Sequence, residues 1–213
     1  MSYAQDILRG KYKIPISALG EFDYCPHSIY LKFVEGIKPQ KNEQIRKGEE
    51  IHASLDQEYF SKGEMLSLEE ALEKSTTTEK VFVIRAVTIE NKILKGIVDE
   101  IEISKEQIRI IDDKPIKENR IWHGMKLQIY GYCTAYEDTH DLDRDLYACI
   151  RNRDSREIVL QELFENKHRE EVNKVINQML DIFSGKIEPK GSESAAKCKV
   201  CRYNIYCSKK LDF

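Results

Sequence analysis

Three cysteines within ten residues, Cys198-x-x-Cys201 followed by Cys207, place the tightest condition on how this chain folds. The C-x-x-C spacing lets two sulfurs turn toward one metal, and with a third thiol so close the segment reads as a metal site lacking one ligand. Cys133 and Cys149 stand in apolar runs, among Tyr130, Tyr132 and Ala135 and among Tyr147, Ala148 and Ile150, where free cysteine packs as a small hydrophobe. Cys25 stands instead beside Pro26, in a break between two helical patterns, and is taken as the fourth ligand. It lies 173 positions before Cys198, so a shared metal would staple the two ends of the chain and carry much of its stability. Four thiolates accept either a structural zinc ion or an iron-sulfur cluster. Zinc ribbons usually draw ligands in close pairs, so one distant and three close ligands lean toward the cluster without deciding the matter.

A chain of 213 residues buries roughly two thirds of its surface on folding. With 33% charged and 41% hydrophobic residues, and only 10 Gly and 5 Pro, it is neither disordered nor collagen-like. Its longest apolar stretch, Leu146 to Ile150, stops at Arg151, far short of the ~20 residues of a membrane span. Met1 to Lys13 carries charge throughout and has no apolar h-region, so a cytoplasmic protein without membrane contact is expected. A net charge of -3 provides no global field favouring nucleic acid. Locally the balance differs, because Lys186, Lys190, Lys197, Lys199, Arg202, Lys209 and Lys210 face only Glu188 and Glu193. Such a tail can lie along a phosphate backbone.

The hydrophobic period divides the chain into three. Residues 1–80 read as a helical region that holds Cys25 and His52: two short helices between Ile16 and Phe33 interrupted at Cys25-Pro26, a polar loop over 36–44, and a helix from Ile45 to Phe60 with a stripe at Ile51, Leu55 and Tyr59. Residues 61–80 are polar and partly helical around Leu66 to Leu72. Residues 81–184 form the core segment. There Val81–Ile89, Ile93–Ile103 and Gln107–Lys114 are β-branched, alternating runs joined by short turns, the pattern of an antiparallel meander. A helix from Trp122 to Glu137, strands at Leu146–Arg151 and Glu157–Phe164, and an amphipathic helix from Lys167 to Phe183 follow. Residues 185–213 are the cysteine-rich segment.

Alternate residues of a strand share a face, so Ile97, Asp99, Ile101 and Ile103 stand together, with Glu100 and Glu102 opposite. In the next strand Ile108, Ile110, Asp112 and Lys114 share a face in the same way. Two carboxylates among isoleucines are costly to bury without a cation. A divalent metal resolves this, because two carboxylates and a backbone carbonyl, that of Asp113, are the hard oxygen ligands of Mg²⁺ or Mn²⁺. Plain ion pairing with Lys114 is the competing reading. Gln128 and Tyr132 project from one helix face at i and i+4, and His52 sits beside the stripe of its own helix; each of these alone reads as structural.

Together, Gly96-Ile97-Val98-Asp99, Asp112-Asp113-Lys114-Pro115, Gln128-x-x-x-Tyr132 and the upstream Gly48-x-x-x-His52 resemble the PD-(D/E)XK nuclease superfamily in its RecB-like form. The four cysteines resemble its iron-sulfur branch, the RecB-like exonucleases that make up the fourth family of CRISPR-associated proteins. The resemblance runs from about Ile16 to Cys207. It implies a mixed α/β (α+β) fold: a restriction-endonuclease-like core, an N-terminal helical cap and a C-terminal iron-sulfur segment. It also implies Mg²⁺ or Mn²⁺ held by His52, Asp99, Asp112 and the Asp113 carbonyl, with Lys114 catalytic and Gln128 and Tyr132 completing the site. Cys25, Cys198, Cys201 and Cys207 would carry a 4Fe-4S cluster. The implied activity is exonucleolytic cutting of single-stranded DNA, 5′ to 3′ with some endonuclease action, that trims spacer precursors before the CRISPR integrase inserts them. Asp112 stands where many relatives carry Glu, which moves the metal by about one bond length. A repair nuclease outside CRISPR, and a non-catalytic iron-sulfur or zinc adaptor for DNA ends and an integrase, are the other readings; the complete acid and lysine set weighs against the adaptor. Tyr24, Tyr30, Trp122 and Tyr203 are the candidates for stacking on bases.

Overall fold

Asn91 and Ser104 close the two turns of the expected meander. The Asn91 side-chain oxygen accepts from the amides of Ile93 and Leu94 at 2.9 and 2.6 Å, a local bond that lets Asn replace a backbone turn. A computed structural model describes residues 2–39, 43–61, 66–118, 120–140 and 144–211. In it β2 (Phe82–Glu90), β3 (Leu94–Ile103) and β4 (Gln107–Lys114) pair antiparallel in chain order. Beyond them the sheet is mixed, which the sequence does not announce. β1 (Ile14–Pro15) runs parallel to β3, β5 (Asp145–Asn152) runs parallel to β4, and β6 (Ile158–Leu163) pairs antiparallel with β5. A parallel neighbour requires a crossover, and helix α6 (His123–Glu137) supplies it between β4 and β5.

The helices on either side of Cys25 form as expected, as α2 (Ser17–Tyr24) and α3 (Pro26–Phe33). Cys25 between them is extended, and Pro26 opens α3, where its missing N–H is no loss. With α6 and α7 (Asn166–Phe183) they bury one apolar cluster that draws on residues from Ala4 to Phe183, including Ile101, Ile103, Ile108 and Ile110 of the sheet. α2 and α6 cross on glycine. A Cβ on Gly20 would stand 2.8 Å from the carbonyl oxygen of Gly124, and one on Gly131 would stand 2.4 Å from Leu19 Cδ1.

Two short helices escape the periodic reading, α1 (Tyr3–Leu8) and α8 (Ala195–Lys199), because five or six residues cannot show a stripe. α5 (Leu68–Thr77) begins at a capping box, Ser67 with Glu70, within the stretch read as partly helical. Residues 40–42 of the expected loop and 62–65 of the following segment lie outside the described residues. α4 (Glu43–Ser61) departs from expectation: Ile51, Leu55 and Tyr59 are only half-buried, and none of them belongs to the apolar cluster. Among the described residues no helix is long and apolar enough to cross a membrane.

Candidate active site

Asp99 occupies a gap in the hydrogen-bonded ladders of the sheet. On one side the β3–β4 register ends at Glu100 and Ile111; on the other, Arg85 faces Glu100 and Val87 faces Val98, and Ala86 between them is skipped with φ at +52°. A left-handed conformation costs a non-glycine residue roughly 1–2 kcal/mol. Freed from ladder neighbours, the Asp99 carboxylate takes over their role: Oδ2 accepts the amide of Asp113 at 2.7 Å. In an extended residue the N–H and C=O point to the same edge, so the Asp113 carbonyl faces this gap as well. His52 arrives from α4, its Nδ1 3.2 Å from Asp99 Oδ1. A ring nitrogen of His52 and carboxylate oxygens of Asp99 and Asp113 lie within 4.8 Å of one another.

Strand alternation puts Asp112 on the same side as Asp99. Its buried Oδ2 is 2.8 Å from Lys114 Nζ, yet no hydrogen bond is aligned on that oxygen. Gln128 links the two residues, accepting from Lys114 Nζ at 3.0 Å and donating to Asp112 Oδ1 at 3.4 Å. Tyr132, one turn further along α6, is buried and donates to the Ile97 carbonyl at 2.7 Å. Its hydroxyl is thus held by the backbone of β3, beside Gln128 and within reach of the charges of Asp112 and Asp99. A Cβ on Gly96 would stand 2.8 Å from the Tyr132 ring, so the glycine of Gly96-Ile97-Val98-Asp99 is the seat of the tyrosine of Gln128-x-x-x-Tyr132.

The sequence reading missed what lies beneath. Glu100, assigned to the face away from the isoleucines, is buried in an ion network, with Arg85 Nη1 at 2.5 Å and Arg151 Nη1 at 2.6 Å. Arg151 also grips the Asp113 carboxylate through Nε and Nη2, at 2.7 and 3.1 Å, and Arg156 adds a contact at 2.8 Å. Asp113 thus offers its carboxylate to guanidiniums while its backbone faces Asp99. The available signal was Arg151 at the end of an apolar strand, where it read as a stop.

These surroundings separate the charges. Burial, with the neighbouring Asp112 adding to it, pushes Asp99 up to about 7. Burial alone would raise Asp113 too, but the hydrogen bond and charge of Arg151, then those of Arg156, hold it below the usual carboxylate range. Burial pushes His52 down, which keeps its imidazole neutral and its lone pair available near pH 7. A neutral imidazole, the Asp99 carboxylate and the unaligned oxygen of Asp112 fit a divalent cation.

At the other end of the sequence Cys25, Cys198, Cys201 and Cys207 line one cavity, with Tyr24 and Asn204. All four are free thiols. The Tyr24 hydroxyl donates to the Lys197 carbonyl at 2.7 Å and so joins the two segments, and Asn204 Nδ2 donates to the Cys198 carbonyl at 2.8 Å. Burial, then neighbouring cysteine charge, pushes the thiols of Cys201 and Cys207 up. The basic tail is partly turned inward: Lys186 meets Asp181, Arg202 lies 3.7 Å from Glu21, and Lys209 donates to the Pro189 carbonyl. Cys133 and Cys149 are fully buried, as core cysteines should be. Among the stacking candidates Tyr203 is 3% exposed and Tyr24 lies beneath Lys197, whereas Trp122 is 50% exposed with Arg120 over its ring at 3.9 Å.

Residues 63–208 match the PD-(D/E)XK nuclease superfamily, and the chain belongs to it: this is a nuclease of a superfamily that works with divalent metals. Along 210 residues it is 24% identical to the CRISPR-associated exonuclease Cas4 of Francisella tularensis subsp. novicida (strain U112), a likeness that covers 95% of this chain and 97% of the relative. Two solved structures are more remote. The crystal structure of SSO0001 aligns with a TM-score of 0.46 and 15% identity over 94% of this chain and 87% of the other. A Eubacterium rectale protein provisionally described as an exonuclease aligns with a TM-score of 0.45 and 14% identity over 97% and 92%.

Proposed function

We propose that this chain is a metal-dependent exonuclease of single-stranded DNA, cutting 5′ to 3′, that carries a structural 4Fe-4S cluster and trims spacer precursors ahead of a CRISPR integrase in the cytoplasm. The observation that carries the reading is the convergence of His52, Asp99, Asp112, Lys114 and Gln128 on one gap in the sheet. His52, Asp99, Asp112 and the Asp113 carbonyl would hold Mg²⁺ or Mn²⁺, which when bound activates a water and offsets the charge of the phosphodiester. Lys114, fixed by Gln128 and Asp112, holds the scissile phosphate and stabilises the charge that develops on it. Tyr132 anchors α6 to β3 and so keeps Gln128 at its station.

One distant and three close cysteines lining one cavity support a cluster held by four thiolates. Hydrolysis moves no electrons, so the cluster's role is to join the helical cap (1–80) and the tail (185–213) against the nuclease core (81–184). The named exonuclease relative supports the CRISPR role. The exposed Trp122 supports a single-stranded substrate, since base stacking on an aromatic ring contributes about 1–3 kcal/mol.

The test is degradation of end-labelled single-stranded DNA with Mn²⁺ by anaerobically purified protein, with the label at either end to give direction. Asp112→Ala is expected to abolish cleavage and keep the brown colour, and Cys201→Ala to lose both colour and solubility. Wild-type cleavage by Asp112→Ala sinks the assignment.

A further inference from the structure

Helix α4 carries His52 to the acids from outside the apolar cluster that seats α2, α3, α6 and α7. Its described apolar residues Ile51 and Leu55 do not belong to that cluster, and three polar contacts tie it to the sheet. His52 meets Asp99, Asp56 Oδ1 lies 3.2 Å from Arg85 Nε, and the Tyr59 hydroxyl donates to the Val83 carbonyl at 2.7 Å. Positions 52, 56 and 59 are i, i+4 and i+7 and therefore form one face of the helix. Gly48, a further turn back, continues that face, where Arg153 Nη1 would lie 3.3 Å from a Cβ. Arg85 is buried and is itself fixed by Glu100 at 2.5 Å, so the Asp56 end of the helix rests on the ion network beneath the acids.

The geometry points to Asp56 and Tyr59 as positioning residues: through Arg85 and the Val83 carbonyl they dock α4 so that the His52 imidazole faces Asp99. This rests on His52 being a metal ligand. Neither residue touches the metal or the substrate; each acts by holding the helix that carries the ligand. Groups bonded directly to a ligand change metal affinity about 10- to 100-fold when lost, and residues acting through the helix should reach the lower end of that range.

The test is Mn²⁺ binding by electron paramagnetic resonance in the absence of DNA, for Asp56→Asn, Tyr59→Phe, the double variant, Asp56→Glu and His52→Ala, with thermal melting alongside. Arg85 keeps Glu100 in every one of these proteins, so the fold should hold, with a drop in melting temperature no larger than the loss of one or two hydrogen bonds gives. The double variant is expected to bind Mn²⁺ about tenfold or more weakly, with Asp56→Glu restoring much of the Asp56→Asn loss. In cleavage assays the Mn²⁺ concentration for half-maximal rate should rise far more than the saturated rate falls. If the double variant binds Mn²⁺ like wild type while His52→Ala does not, the docking role is overturned and the metal site stands. If His52→Ala also binds like wild type, His52 is not a ligand and both readings fall.

Discussion

Helices α6 and α4 both bring residues to the acids of β3 and β4, α6 from within the core and α4 from the surface. α6 crosses α2 at Gly20 and Gly124 with no room for a methyl group, buries Leu127, Ile129, Cys133 and Tyr136, and offers Gln128 to Lys114 from that fixed seat. α4 offers His52 from a face of polar contacts. Burial of apolar area is strong and does not depend on direction, whereas exchanging protein for water partners makes polar docking weak and selective for geometry. The difference teaches that Lys114 and Gln128 are set by folding itself, whereas the imidazole is on the part of the site that can adjust.

The largest expected effect needs no mutation. Amide hydrogen exchange should find α6 protected close to the global limit and α4 exchanging through local opening, roughly a hundredfold faster or more; equal protection would break the contrast. Next, Gly20→Ala forces a Cβ against a backbone carbonyl and should cost about 1–3 kcal/mol, read as a melting temperature several degrees lower. Tyr132→Phe removes the bond to Ile97 and should cost about 1 kcal/mol, a smaller drop in the same measurement.

A pH titration sharpens the picture of the α6 seat. His123 Nδ1 meets Asp23 of α2 at 2.6 Å and its Nε2 meets Glu171 of α7 at 2.7 Å. Burial opposes its charge, but these hydrogen bonds outweigh it and raise its pKa. A raised folded value means the stabilisation is complete below the ordinary histidine value of about 6.5 and is lost as pH rises through the raised one. The wild-type melting temperature should therefore fall over that interval more than that of His123→Ala. Smallest of all, Ala86→Gly relieves the left-handed strain beside Asp99 and should gain up to about 1 kcal/mol in denaturant unfolding.

Much of this was legible in the residues. The meander, the helices flanking Cys25 and the apolar stripe of α7 follow from period and punctuation, because those segments are long enough for one face to be distinguished from the other. Taking Cys25 as the fourth ligand would bring it beside Cys198, and the two line one cavity. β1 was illegible because two residues have no period, and the α4 stripe misled because half-buried apolar residues look the same in sequence as fully buried ones. Tyr203 looked like a stacking platform until packing buried it.

By itself the sequence determined along which strands and helices the candidate side chains lie and which of them share a face, since alternation and helical spacing are local properties of the backbone. Only the tertiary structure decided what each of them meets. The gap beside Asp99, the gripping of the Asp113 carboxylate by Arg151, and the polar seat of α4 all join residues far apart in the chain. Such pairings depend on how distant segments pack and on which charges share a buried space, and no local pattern encodes either.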